Sequence, residues 1–520
     1  MKVTVFTAFV WALVATASVQ CKLATYTVLS PSPTVSVIVK SKTYTLKSST
    51  ATPLVHVGTA PGGSSYRYVI KGKKERATRN AIPAGSATQP EFFDRPNQVS
   101  VPKLPKLYTN KYSDKVYTSA HLENEIGSIH FSAPASEVKK LYASKESKAK
   151  VTSTMTFINS KGIQTFTNST IAIGGESTRD WAKKAYKFSL SKDTDGLYGL
   201  RKFKLRAEAS EPTMIREKLY YDMLDALGLP SPSTFYVRLF INNDQIGLFL
   251  LVDEISNPWL KSDFNGGKKY DNGILYKMDG GGDTVGANLA YVGSSESKYT
   301  DFYSVEEESG SGEKSLKRLI DFTKWIKEKG NTASTAEWDA QIDTDGFLKH
   351  MALEFLNAAW DNYWVSASNY YLYHDPKKNQ LQWLSYDLDY TIGNGIEKFQ
   401  KHMLTDTYSK YAADQPARPL IDTLLKSSTF KKNFEKILKN VLENLYKPDI
   451  LNKRIDGLVN LIQDDVAWDR SLKRVTKGDD WEWDLSDFKS SITKGFGEDG
   501  QWYGLKEWIS KKYAAVHKQL

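Results

Sequence analysis

Trp360-Asp361-Asn362-Tyr363-Trp364-Val365-Ser366-Ala367-Ser368-Asn369-Tyr370-Tyr371-Leu372-Tyr373-His374-Asp375, a turn at Pro376 to Asn379, then Leu381-Gln382-Trp383-Leu384-Ser385-Tyr386-Asp387-Leu388-Asp389 is the stretch that decides how this chain is read. Phe347, Met351, Leu353, Phe355 and Leu356 before it predict a helix over Thr344 to Trp360. The chain then leaves the helix at Asp361, and two β-prone runs around the turn form a hairpin that delivers Asp387 at its far end. Asp387 and Asp389 are two positions apart, so in extended chain they point the same way while Leu388 points opposite. Two carboxylates with the amide oxygen of Asn369 nearby are hard oxygen ligands, suited to magnesium or calcium. Asp361 stands apart from them and is free to orient an attacking hydroxyl while a metal neutralises phosphate. Protein kinases place a catalytic Asp and an Asn in one loop, with a metal-binding Asp after the next hairpin. The order here is the same, although Asp361 and Asn369 are eight residues apart, farther than in the protein-kinase loop. The bland alternative is a turn Asp, a strand Asn and a solvated Asp-x-Asp, because short acidic motifs are common.

Upstream, Ser210 to Leu227 reads as a helix. Ser210 would cap it, Pro212 sits in its first turn, and Ile215, Leu219, Met223 and Leu227 form one apolar face. Gly228 and Pro230 stop it. Tyr236 to Ile241 and Ile246 to Val252, joined by Asn242-Asn243-Asp244-Gln245, read as a β-hairpin. Val151 to Ile158 reads as a strand. Thr25 to Val28, Val35 to Val39 and Lys42 to Leu46 read as short strands of a small N-terminal β region. Lys71 to Pro105, rich in charge, Pro, Ala and Asn, reads as a linker or long ordered arm. Further helices are predicted at 315–328 and from 417 through about 465. Strands and helices are mixed, so the class is α+β.

Met1-Lys2, the apolar run Val3 to Ala17 and the small-x-small Ala15-Thr16-Ala17 predict a secretory signal peptide over 1–17. No later apolar run is long enough to span a membrane, and the charged C-terminus lacks the hydrophobic tail of a lipid-anchor signal. The expected product is therefore secreted, extracellular and soluble. Its single cysteine, Cys21, leaves no internal disulfide, so stability rests on core size. Asn168-Ser169-Thr170 is a glycosylation sequon at Asn168. Lys and Arg number 70 against 60 Asp and Glu, a formal charge of +10. This suits a soluble basic surface or affinity for anionic partners such as phosphates and cell-surface polymers. No compact basic run interleaved with aromatics is present, which argues against nucleic acid as a partner.

Several ordered motifs resemble one family. They are Arg206 with Glu211-Pro212-Thr213-Met214-Ile215-Arg216-Glu217-Lys218-Leu219, Leu227-Gly228-Leu229-Pro230, Tyr236-Val237-Arg238, Gly247-Leu248-Phe249, Trp360-Asp361-Asn362-Tyr363, Asn369-Tyr370-Tyr371-Leu372-Tyr373, Asp387-Leu388-Asp389 and Tyr503-Gly504-Leu505-Lys506-Glu507-Trp508. Over roughly residues 100–515 the chain resembles the CotH kinase family, and within it the secreted or surface CotH-like proteins of mucoralean fungi. The resemblance implies an atypical protein-kinase-like core over 101–520, behind a small β region and linker over 18–100. It implies transfer of the ATP phosphoryl group to protein hydroxyls with Mg2+ or Mn2+, on substrates of the secretory pathway or cell surface. Asp361 matches the family's catalytic aspartate and Asp387 its metal-binding aspartate, with Asn369 and Asp389 as further ligands. Gly174-Gly175-Glu176-Ser177-Thr178-Arg179, Trp181 and Lys183 to Lys187 are similar to the family's basic, Gly-containing stretch, whose N–H groups and side chains would meet phosphates.

ATP contacts then fall on Arg179, Lys184, Lys187, Lys204 and Lys277, with Glu217 as the helix partner of a strand lysine. Lys184, Lys187, Lys202 and Lys204 stay open as the phosphate lysine. The family holds a bacterial spore-coat kinase and also fungal invasins that bind host-cell receptors. A secreted adhesin without turnover, with a host-cell receptor as partner, is thus the alternative. The receptor-binding peptide of those invasins would fall within Gly280 to Gly293 and is not found in Gly280-Gly281-Gly282-Asp283-Thr284-Val285-Gly286-Ala287-Asn288-Leu289-Ala290-Tyr291. The protein-kinase Gly-rich loop, His-Arg-Asp and Asp-Phe-Gly are absent too.

Overall fold

A computed structural model of the chain describes residues 23–50, 52–112, 122–144, 149–175, 177–280, 285–496 and 502–520. The predicted leader over 1–17, Cys21, Glu176 and residues 281–284 lie outside them. The chain divides into two units, Met1–Asn97 with Ser160–Gly162, and Gln98–Asn159 with Ile163–Leu520.

The first unit is one sheet of seven strands, in spatial order Lys73–Lys74, Tyr66–Ile70, Val35–Val39, Lys42–Ser48, Val55–Pro61, Leu23–Leu29 and Glu91–Phe92. Alternation makes it: Tyr26, Val28, Val35, Val37, Val39, Leu46 and Tyr68 face one side and form its core. Each such burial contributes about 1.5–3 kcal/mol. The three predicted strands are present. Part of the stretch read as linker also pairs here, through Lys73–Lys74 and Glu91–Phe92.

The second unit contains both sheets and helices, so the chain is α+β. Seven strands close a barrel in the order Gly162–Ile173, Tyr186–Ser189, Lys202–Arg206, Asp244–Asp253, Thr234–Ile241, Gly127–Ser132 and Val151–Asn159. Ile129, Phe157, Phe188, Leu205, Val237 and Phe249 fill its core. The Thr234–Ile241 and Asp244–Asp253 strands are the predicted hairpin, turning at Asn242, whose φ of 50° asparagine tolerates. A four-stranded sheet, Tyr303–Glu307, Leu275–Met278, Tyr370–Asp375 and Gln380–Ser385, carries the hairpin predicted before Asp387. Helices Lys317–Lys329, Thr344–Asn357, Pro419–Lys426, Ser428–Asn444, Pro448–Ser471 and Leu505–His517 share the largest core. Among the described residues no helix is long and apolar enough to cross a membrane.

Two helix readings need correction. The helix predicted from Ser210 begins only at Arg216 and ends at Ala226. Met214, inside the predicted span, holds a φ of 55°, which a right-handed helix cannot include. Ser210 is not its cap. The Glu211 carboxylate instead accepts from the N–H groups of Thr213 at 2.9 Å and Ile215 at 2.8 Å, next to the first turn. The run predicted over 417–465 is three helices, with Ser427 extended between the first two and Pro448 opening the third.

Candidate active site

The Thr344–Asn357 helix is capped by Asp343, whose carboxylate accepts from the Gly346 N–H at 3.2 Å. It stops at Ala358, a left-handed residue with φ 44°. Asp361 follows on the loop. Asn362 is buried and pins that loop to the hairpin: its amide donates to the carbonyls of Asn369 and Tyr386, both at 3.1 Å. The Asn369 amide donates to the Asp361 carbonyl and carboxylate, each at 2.9 Å. Ala367, Asn369 and Asp387 all take positive φ, at 51°, 57° and 57°. Non-glycine residues held there carry strain that surrounding contacts must outweigh, and such strain gathers at functional sites.

The acidic side is organised by a residue that the motif reading did not single out for a role. Arg206 ends the Lys202–Arg206 strand, where Lys202, Lys204 and Arg206 alternate with buried Phe203 and Leu205. Its Nε donates to Glu217 Oε2 at 2.7 Å. Its Nη2 pairs with Asp387 and lies 3.1 Å from Asp389 Oδ1. Ser210 Oγ donates to Asp389 Oδ2 at 3.0 Å, and the Asn394 amide holds the Asp389 carbonyl at 3.0 Å. Glu208 is buried beside this group, with no ion-pair partner among the described residues.

The electrostatics follow from too many acids around too few cations. Burial, reinforced by the Asp387 charge, pushes Asp361 up to about 7, with Asn369 opposing. Burial works the same way on Asp387, but Arg206 and then Lys204 outweigh it and hold that carboxyl below its usual value. Asp389 goes up, through burial against the pull of Arg206, and through Asp387 and Glu217. Glu208 is pushed well above its usual range by burial and by Glu217.

These residues open into a cavity of about 590 Å³, the size of a small-ligand site. Asp361, Asn369, Asp387 and Asp389 line it together with Arg179, Lys187, Lys204 and Lys277. Gly174 and Gly175 line it too, next to Arg179, whose Nε donates to the Gly175 carbonyl at 2.7 Å. Gly175 has φ 71°, and a Cβ there would sit 2.2 Å from Thr178 Oγ1. Lys187 and Lys204 are direct cross-strand neighbours. The Nζ atoms of Lys204 and Lys277 lie 5.3 Å and 5.8 Å from the Tyr386 ring centre, and Lys277 also pairs with Asp279.

Three candidates fall elsewhere. Lys184 is buried, with Nζ on the Arg179 carbonyl, and does not line the cavity. Lys202 pairs with Glu307 at 3.0 Å. Glu217 is the helix acid facing the strand, but its ion-pair partner is Arg206, two residues beyond Lys204, and it lines a small adjoining pocket with Lys204, Arg206 and Asp387 rather than the cavity itself. Asn168 is exposed on the Gly162–Ile173 strand.

Asp387, Asp389 and the Asn369 side-chain oxygen are the donors that could hold a divalent metal. Among the described residues no ready-made cage of three acidic or histidine side chains exists. Magnesium commonly takes one or two protein carboxylates and completes its shell with water and phosphate, so the set fits that ion.

Residues 171–510 match the model of the CotH kinase protein family. Over 540 aligned residues the chain is 29% identical to "Invasin CotH3" of Rhizopus delemar, covering 100% of this chain and 87% of that protein. It is 30% identical to "Invasin CotH2" of the same fungus, over 86% of this chain and 77% of the relative. "Inner spore coat protein H" of Bacillus subtilis is 24% identical over 61% of this chain and 82% of its own length. The chain belongs to the CotH kinase family.

Proposed function

We propose that this chain is a secreted phosphotransferase with an atypical kinase-like core, moving the terminal phosphoryl group of ATP to hydroxyls of protein substrates. The observation that supports it best is one cavity lined by Asp361, Asn369, Asp387 and Asp389 and also by Arg179, Lys187, Lys204 and Lys277. Phosphoryl transfer needs that combination: cations for phosphate oxygens and a separate carboxylate for the nucleophile. Asp361 accepts the hydrogen bond of the substrate hydroxyl and takes its proton, in an orientation set by Asn369 at 2.9 Å. Lys187 and Lys204 meet phosphate oxygens as a cross-strand pair. Asp387 and Asp389, with Asn369, hold Mg2+ or Mn2+, which when bound neutralises phosphate charge. The fit rests on three oxygen donors, Asp387, Asp389 and Asn369, that line one cavity together. The predicted leader, the sequon at exposed Asn168 and the spore-coat and invasin names of relatives support an extracellular setting.

The test is transfer from labelled ATP to a generic protein acceptor with magnesium or manganese. Wild type transfers label, and Asp361→Asn loses on the order of 10²–10⁴ in rate. Equal transfer by the two would sink the assignment of Asp361.

The invasin names of two relatives favour a second reading, a surface adhesin that binds a host-cell receptor on the same scaffold without turnover. Under it, magnesium and ATP at millimolar concentration leave the melting temperature unchanged, whereas a bound nucleotide raises it by mass action.

A further inference from the structure

The chain's charge is concentrated in the part that the proposed chemistry does not use. Leu23 to Asn97 contains ten Lys and Arg but three Asp and Glu, so this segment carries +7 of the formal +10. Residues 98–520 together carry only +1. The three acids of the N-terminal unit are already engaged: Glu75 and Glu91 are buried on Arg79, and Asp94 pairs with Arg76 at 2.7 Å. From Leu23 to Lys74 there is no acidic residue at all.

Strand parity shows where the cations point. The core takes Tyr26, Val37, Leu46 and Tyr68. Lys47 pairs with Val57, Ile38 with Arg67, and Val69 with Lys74, which puts Lys47, Arg67 and Lys74 on the opposite face. Around them that face carries hydroxyls, among them exposed Thr43, Thr45 and Thr59. Lys40 and Lys71 add exposed charge from the turns.

We infer that this face of the N-terminal sheet binds an acidic polysaccharide, an extended chain bearing carboxylate or sulfate groups. Cations spread over several strands match anions repeated along a polymer, and Ser and Thr hydroxyls both donate to and accept from sugar hydroxyls. The other occupants fit worse. Single-stranded nucleic acid stacks on aromatic rings, and the outward positions of the five long strands carry none. A bilayer wants apolar and aromatic anchors, and among the described residues of this unit the only exposed large hydrophobics are Leu23 and Val57. A second copy of the same face would set like charges together.

The test uses the full chain on immobilised polygalacturonate, sulfated dextran and neutral dextran. The face variant is K47E/R67E/K74E. A charge-matched control, K431E/K432E/K436E, alters exposed lysines of the Ser428–Asn444 helix. Wild type binds a charged polymer and not neutral dextran, and its affinity falls with sodium chloride. The face variant loses about tenfold or more, while the control stays within about twofold. Equal loss in both variants, no binding to either charged polymer, or tighter binding to a single-stranded oligonucleotide of equal charge overturns the inference. Circular dichroism and melting check folding. Should the reversed variant misfold, the neutralised K47Q/R67Q/K74Q decides by the same comparison. None of these outcomes depends on phosphoryl transfer.

Discussion

Two buried polar networks in this molecule are built from the same residue types and behave in opposite ways. In the N-terminal sheet, Glu91 accepts from Tyr66, Tyr68, Arg79 and Asn97, and Glu75 accepts from Arg79 and from the N–H groups of Tyr68 and Asp94. Every oxygen of both acids has a donor, and the network closes on itself. Around the cavity of the second unit, Arg206 is shared among Glu217, Asp387 and Asp389, while Glu208 and Asp361 have no cation of their own among the described residues. A satisfied network locks a fold, whereas a network left short of positive charge stores affinity for a cation that arrives from outside.

Removing the cation from the closed network should give the largest change in stability. Arg79→Met leaves two buried carboxylates unpaired, and opening of the sheet becomes easier by about 3–5 kcal/mol. Hydrogen exchange of the Tyr26 and Tyr68 amides measures it. A change below about 1 kcal/mol would mean that the tyrosines alone satisfy Glu91.

The open network should respond differently. Lys204→Met and Lys187→Met each raise the apparent KM for ATP, by about tenfold for one lost charged contact to phosphate, with melting temperature unmoved. An unchanged KM would remove that lysine from the phosphate site. Asp387→Asn removes the carboxylate that Arg206 and Lys204 hold ionised, so stability falls by no more than about 1.5–3 kcal/mol while activity is lost. A large loss of stability would show that Asp387 is structural.

A third buried charge separates the two cases by pH. Lys512 is fully buried, donates to the Met403 carbonyl at 2.6 Å and sits 3.8 Å from the Phe355 ring centre. Burial pulls it down to about 7 from 10.5. Between those values the unfolded chain holds a proton that the folded chain lacks, so this group's contribution to stability rises with pH across that window. Below it both states are protonated and the burial cost is felt in full. Chemical denaturation of Lys512→Met at several pH values should therefore show a flatter profile than wild type between about pH 7 and 10.5. Parallel profiles would place Lys512 in a wetter setting.

What could be read from sequence was what is local. Asp361, Asn369, Asp387 and Asp389 lie within one helix end and one hairpin, so their order already placed them together. Alternation gave the N-terminal strands and the Asn242 hairpin. Arg206 was not given a role, because its partners Asp387 and Asp389 lie some 180 residues away; its signal was the alternation with Lys202 and Lys204 on one strand face. The helix start was misread because Ser210 has the chemistry of a cap, while Met214 takes a backbone angle that composition does not reveal. Lys184 was a candidate phosphate contact because it stands in the basic run that resembles the family's. Its burial, with that of Lys183 on Asp469 at 2.7 Å, comes from tertiary packing alone.

The claim that the open network is a metal–nucleotide site is tested most directly by calorimetric titration. Magnesium alone, ATP alone and the two together are titrated into wild type and Asp387→Asn. The account predicts binding of ATP to wild type that strengthens when magnesium is present, and loss of that strengthening in Asp387→Asn. No heat with wild type under any of the three conditions, or identical isotherms for the two proteins, would contradict it.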